Sequence, residues 1–102
     1  MTLDAVPSLA RTEWLILDLL IAGGPSYGLE LVKISDGALK RGTVYATLAR
    51  MEAKGYVESE QETPPPGAIG VPRRIFRPTP LGRRVVNSWA LFARQFAPEV
   101  SR

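Results

Sequence analysis

The stretch GTVYATLARMEAKGYVESE, Gly42 to Glu60, holds a helical pattern, a stop and an alternating run in immediate succession. At about 100° per residue, Val44, Leu48 and Met51 fall on one narrow face, the side suited to a core. Thr43, Thr47, Arg50 and Lys54 form a neighbouring stripe that is entirely polar or basic, and Ala46, Ala49 and Ala53 cover the outermost arc. A helix with a basic stripe and a small-residue outer arc can approach another surface closely. An ordinary amphipathic surface helix carries the same pattern, so the stripe is a candidate interface and not yet a site. Gly55 is a natural stop just past the helix. Tyr56-Val57-Glu58-Ser59-Glu60 then alternates like a short half-buried strand.

Working outward from this stretch gives the rest of the architecture. Downstream, Thr63-Pro64-Pro65-Pro66-Gly67 reads as loop and Arg73-Arg74-Ile75-Phe76-Arg77 as a second strand. The two strands make a hairpin with an extended loop, and a lone hairpin must pack on helices to be stable. Val57, Ile75 and either Tyr56 or Phe76 are the expected contacts. Thr79-Pro80 supplies an N-cap followed by Pro at the first helical position. In the helix it starts, Leu81, Val85, Trp89, Phe92 and Phe96 recur at helical spacing, and Pro98 closes it. That stripe is longer and more aromatic than one small core needs.

Upstream, a first helix runs from about Ser8, after Pro7, to Ala22, apolar on much of its circumference and stopped by Gly23-Gly24-Pro25. Trp14 within it is expected in the core or at a helix crossing. A second helix starts near Ser26 as N-cap, turns Leu29, Val32, Leu31 and Ile34 inward, and ends at Ser35-Asp36-Gly37. Gly28 in its first turn costs about 1 kcal/mol against Ala unless another element packs closely there. Three helices, a hairpin and a fourth helix make a mainly α chain with a small β hairpin, the pattern of a winged helix-turn-helix with a C-terminal extension. Residues 1–78 are expected to form the winged helix-turn-helix, and 79–102 the C-terminal helix of the same compact unit.

Composition removes other classes. The chain of 102 residues has no Cys and no His, so it offers no disulfide, zinc finger, thiol nucleophile or imidazole base. Its carboxylates are scattered, no Gly-rich phosphate loop is present, and neither metal, cofactor nor enzymatic activity is expected. The longest apolar stretch, Trp14 to Ala22, is broken by Asp18 and falls well short of the ~20 residues that span a bilayer. The N-terminus lacks a signal-peptide pattern, which points to a soluble cytoplasmic protein. Charge is uneven: residues 73–102 hold seven Arg against Glu99, a balance of +6, whereas residues 1–72 hold six Lys or Arg against nine acids. Such an asymmetry is aimed at an anionic partner or is a solvated Arg-rich surface.

The ordered set of motifs resembles the PadR family of transcriptional regulators. The matching points are Leu15-Ile16-Leu17-Asp18-Leu19-Leu20, Tyr27-Gly28, Gly42-Thr43-Val44-Tyr45 with Leu48 and Met51, Gly55-Tyr56-Val57-Glu58, Arg73-Arg74 with Phe76-Arg77, and Thr79-Pro80-Leu81-Gly82. No single item is specific; the order and spacing are. The resemblance implies a homodimeric repressor on a palindromic operator of double-stranded DNA. The third helix would lie in the major groove, the wing on backbone or minor groove, and the C-terminal helix against a second copy. The chain is similar to the family's short members, and it departs from the pattern in its three wing prolines and in Pro78.

Within that expectation, Thr43, Thr47 and Arg50 are the candidates to reach bases or nearby phosphates, with Lys54 on the same stripe. Lys40 and Arg41, just before the helix, read as phosphate contacts. Tyr45 is a DNA-side candidate by resemblance alone, the alternative being an aromatic packed on the second helix. Arg73, Arg74 and Arg77 are counter-charge for phosphate. Alternation divides them between two strand faces, so one can instead pair with Glu58 or Glu60, and the family's basic wing favours Arg74. Leu81, Val85, Trp89, Phe92 and Phe96 are the expected dimer interface. By resemblance, Trp89 is also a contact for a small hydrophobic or aromatic effector, against its packing in the dimer core. The competing function is a winged helix that docks proteins without sequence-specific DNA binding. Such a face would expose apolar anchors where the Thr43–Lys54 stripe stands.

Overall fold

The computed structural model of the chain describes residues 9–64, 66, 67, 70 and 72–96, the side chains of 94–96 excepted. The roles expected of Pro7, Ser8, Pro98 and the Phe96 side chain lie outside the described residues. Helix α1 (Arg11–Gly23) begins with the Glu13 carboxylate accepting the Ala10 N–H at 2.8 Å. It ends where Gly24, at φ 87°, turns its N–H onto the Leu20 carbonyl. Ile16, Leu17 and Leu20 are fully buried and form the centre of the core. Trp14 departs from expectation: it is 41% exposed, because the buried face of α1 is the Glu13–Ile16–Leu17–Leu20 side.

The hairpin is part of a three-stranded antiparallel sheet. Strands β1 (Ser26–Tyr27), β2 (Val57–Gln61) and β3 (Arg74–Pro78) lie in the order β1-β3-β2. Ser26 pairs with Phe76 and Tyr27 with Ile75; on the other side Val57 pairs with Pro78 and Ser59 with Phe76. Ser26 is therefore a strand residue and not an N-cap; its hydroxyl donates to the Gly24 carbonyl at 3.0 Å. Two residues are too few for alternation to announce a strand, and what recruits them is the open edge of β3. β1 pairs with Ile75 and Phe76 alone, so at Pro78 the middle strand has one neighbour, where a residue lacking an N–H is tolerated.

Helix α2 (Gly28–Ile34) starts one residue later than expected, with Tyr27 and not Ser26 as N-cap and the Tyr27 N–H donated to the Glu30 carboxylate at 2.8 Å. It is two turns long and buries one narrow face. Leu31 is inside, Val32 is half-buried, and Leu29 and Ile34 are exposed, contrary to the expectation for both. The turn after it is stabilised by Ser35, whose hydroxyl donates to the Val32 carbonyl and accepts the Leu39 N–H. Helix α3 (Val44–Ala53) begins after a turn in which the Lys40 carbonyl accepts the N–H groups of Thr43 and Val44. Val44, Leu48 and Met51 are buried, as the helical wheel requires. Gly55 at φ 81° ends the segment.

Helix α4 (Pro80–Phe96) starts on Thr79, whose hydroxyl accepts the Gly82 N–H at 3.0 Å and donates to the Gly55 carbonyl at 2.6 Å. Its first turn thus rests on the α3–β2 connection. Val85 is 1% exposed and belongs to the same core as α1 and α3, so it is not on the outward stripe where its spacing placed it. Leu81 and Leu91 are exposed, and Trp89 and Phe92 are half-buried with ring centroids 5.5 Å apart, edge to face. No helix among the described residues is long and apolar enough to cross a membrane.

Candidate nucleic-acid interface

Ala46, Ala49 and Ala53 are exposed along the outer arc of α3. Arg50 and Tyr45 are exposed beside the arc, and Lys40, Arg41 and Thr43 are exposed at the approach to the helix. Thr47 and Lys54 are placed differently. Thr47 is 7% exposed, and its hydroxyl donates to the Thr43 carbonyl one turn back. The Lys54 ammonium lies 2.9 Å from both oxygens of Glu13, and the Arg50 Nε is 3.7 Å from the same carboxylate. The stripe therefore tilts toward the N-terminus of α1, and of its members Thr43 and Arg50 remain on the surface.

Glu13 is the residue that sequence reasoning missed. Its side chain is fully buried. Burial alone pushes its carboxyl up. The Ala10 N–H, the Lys54 hydrogen bond and the charges of Lys54 and Arg50 outweigh that and hold it below the ordinary value of 4.5. The only local signal was an acid in the first turn of a helix; its partner stands 41 residues away.

Tyr45 packs on the second helix, the alternative expected for it. Its ring is 50% exposed and is laid against the first turn of α2. A Cβ on Gly28 would fall 2.6 Å from the ring's Cε1, so the glycine is the close-packing site its position demanded. Gly28→Ala is expected to swing the exposed ring outward while changing stability by less than about 1 kcal/mol, since alanine also favours the helix. Tyr45 ring resonances and a thermal melt of the variant check this; an unmoved ring with a large stability loss would contradict it.

The wing arginines separate by face. Arg74 and Phe76 line a cleft shared with Tyr45 and Leu29, on the α3 side of the sheet, and Arg73 lines it too, contrary to the alternation that grouped it with Ile75 and Arg77, because β3 begins only at Arg74. Ile75 and Arg77 line the opposite groove with Glu60 and Gln61. Arg77 pairs with Glu60, as expected of one of the three, at 2.5 Å. Arg73 stacks 4.0 Å over the Tyr27 ring and lies 3.5 Å from Glu62, which also accepts the Tyr27 hydroxyl. That hydrogen bond, foremost, raises the Tyr27 phenol above its ordinary value. Arg74 donates from Nε to the Ser59 hydroxyl at 3.1 Å, and Ser59 donates to Glu52 of α3 at 2.9 Å. This relay couples the wing to the outward face of α3.

The profile of the Transcriptional regulator PadR-like family matches residues 16–88. No curated sequence matches the chain. The fold is similar to a PadR family transcription regulator from Clostridium difficile, at 26% identity over 89% of this chain and 94% of that one, TM-score 0.72. It is also similar to a transcriptional regulator from Clostridium thermocellum, at 28% identity over 86% of this chain and 87% of that one, TM-score 0.66. Bacillus subtilis PadR, solved in complex with operator DNA, shares the fold at 15% identity and TM-score 0.70, over 81% of this chain and 48% of that one.

Proposed function

The chain belongs to the PadR-like family of transcriptional regulators, and from that premise we propose that it is a homodimeric repressor that binds a palindromic operator. Helix α3 lies in the major groove, with Arg50 and Thr43 toward base edges and Lys40 and Arg41 on phosphates beside the helix start. Tyr45 flanks the groove contact, and Arg74 carries the wing onto the backbone. The observation that carries this reading is the small-residue arc of α3, with Ala46 and Ala49 between exposed Arg50 and Tyr45, on the side of the sheet where Arg74 stands. Small side chains let the helix sink into a groove that longer ones would block. Thr47 and Lys54 are left out of the contact set, because both are engaged within the fold.

Exposed Leu81, on the face of α4 that also carries half-buried Trp89 and Phe92, supports pairing of that helix with a second copy. Half-sites then fall about one helical turn apart, ~34–36 Å. Binding is tested on the duplex flanking the protein's own coding region. Arg50→Ala is expected to cost roughly 1–3 kcal/mol and to relax preference at particular base pairs. Arg74→Ala should leave the ranking of DNA variants unchanged and flatten the log–log salt slope by about two units per dimer. Sedimentation as a stable monomer at micromolar concentration would overturn the dimer. A folded chain that binds no duplex would favour the second reading, a protein-docking winged helix. Exposed Tyr45 and Leu29 in the cleft beside Phe76 are the apolar anchors that reading calls for.

A further inference from the structure

Helix α3 and the residue after it carry two cations on the side facing α1, and the structure shows one buried acid facing both. Lys54 Nζ is held at 2.9 Å by each Glu13 oxygen, and Arg50 Nε stands at 3.7 Å from one of them. The two cations differ in freedom: the Lys54 side chain is 31% exposed and that of Arg50 is 55% exposed. Glu13 itself has no access to solvent, and its further partner is the Ala10 N–H. For Lys54 to reach a phosphate it would have to leave a carboxylate buried and without its ammonium, a state far less favourable than one solvent-screened phosphate contact can offset. Arg50 can turn outward without that loss, because the carboxylate keeps Lys54.

We propose that Glu13 is a positioning residue that withholds Lys54 from DNA and leaves Arg50 as the cation available on that side of α3. This rests on the DNA-binding reading above. Its consequence is a limit on sequence-blind affinity. Each phosphate neutralised adds ~0.9 to the salt slope whatever the sequence, so a released Lys54 would strengthen binding to all DNA alike. A carboxylate behind the helix removes that contribution and leaves discrimination to Arg50 and Thr43. It also anchors the end of α3 opposite to the one that rests on Gly28, fixing the helix's attitude at both ends.

The test compares wild type and Glu13→Gln on a random-sequence duplex and on the flanking duplex, after circular dichroism shows both proteins folded. The neutral amide of the variant cannot hold an ammonium by charge, so it should bind random DNA more tightly, with a salt slope steeper by about one unit per bound subunit. The ratio of affinities for the two duplexes should stay the same, because a phosphate contact carries no base information. An equal or flatter slope would overturn the proposal while leaving the DNA-binding reading intact, whereas wild type that binds neither duplex would remove both. A measurement on wild type alone covers the case in which the variant does not fold. On adding duplex, the Lys54 ammonium nitrogen resonance should keep its position and its protection, and the Arg50 Nε resonance should move. A Lys54 signal that shifts with the DNA would overturn the proposal.

Discussion

Replacing Gly82 with alanine should lower stability by about 3 kcal/mol, the upper end of the usual overpacking range. The reason is a backbone contact. A Cβ at Gly82 would fall 2.2 Å from the Tyr56 carbonyl oxygen, 3.1 Å from its carbon and 3.0 Å from Leu17 Cδ2. A flexible side chain could turn away, but the Tyr56 carbonyl already accepts the Thr79 N–H and cannot withdraw without breaking the start of α4. The helix must lift off the α3–β2 connection, and Val85, one turn on, must leave the core with it. For a domain of this size each kcal/mol moves the midpoint by about 4–8 °C, so a drop on the order of 12–24 °C is expected in a thermal melt. Gly23→Ala is the control. It sits at the end of α1 with nothing within 4 Å of its would-be Cβ, and should be neutral or slightly stabilising. A Gly82 variant that melts with the control would show that α4 is not seated on Tyr56.

The second large effect concerns the buried pair. Lys54→Met removes the ammonium and leaves the Glu13 carboxylate inside the protein with the Ala10 N–H and a distant Arg50. Breaking a buried pair from one side costs about 3–5 kcal/mol. Because Lys54 is 31% exposed and two partners remain, a smaller loss is expected, about 2–3 kcal/mol in chemical denaturation at neutral pH. The pH dependence carries a sign. In wild type the Glu13 carboxyl is held below its ordinary 4.5, so its contribution is complete above that value and is lost as pH falls through the depressed one. In the variant burial dominates and favours the protonated acid, so the deficit should shrink on acidification. Glu13→Leu with Lys54→Met should recover most of the loss, because no charge is then left unpaired. A double variant no more stable than Lys54→Met would mean that packing, not charge, is what Lys54 supplies.

Much of the architecture was legible because its signals are local. Thr79-Pro80 starts a helix, Gly55 ends one, and Val44, Leu48 and Met51 share a face for reasons contained within a few residues of chain. Tyr27-Gly28 and Thr79-Pro80-Leu81-Gly82 were likewise visible as motifs, but why each needs glycine was not. The atoms that crowd Gly28 belong to Tyr45, and those that crowd Gly82 belong to Tyr56 and Leu17. Helical spacing placed Thr47, Arg50 and Lys54 beside the core face correctly, yet could not say that α1 covers part of that stripe.

The sequence by itself determined the winged helix-turn-helix, the alanine arc of the third helix and the placing of Arg74 and Arg77 on opposite faces of their strand. Each follows from a period of 2 or 3.6 residues acting on neighbouring side chains. Tertiary structure alone decided that Ser26 and Tyr27 form a strand, that Val85 faces inward, and that Glu13 takes Lys54 from the surface. These depend on residues tens of positions apart meeting at a few ångströms. Such a meeting leaves no periodic trace in the chain, because the free energy that selects it comes from the packed whole.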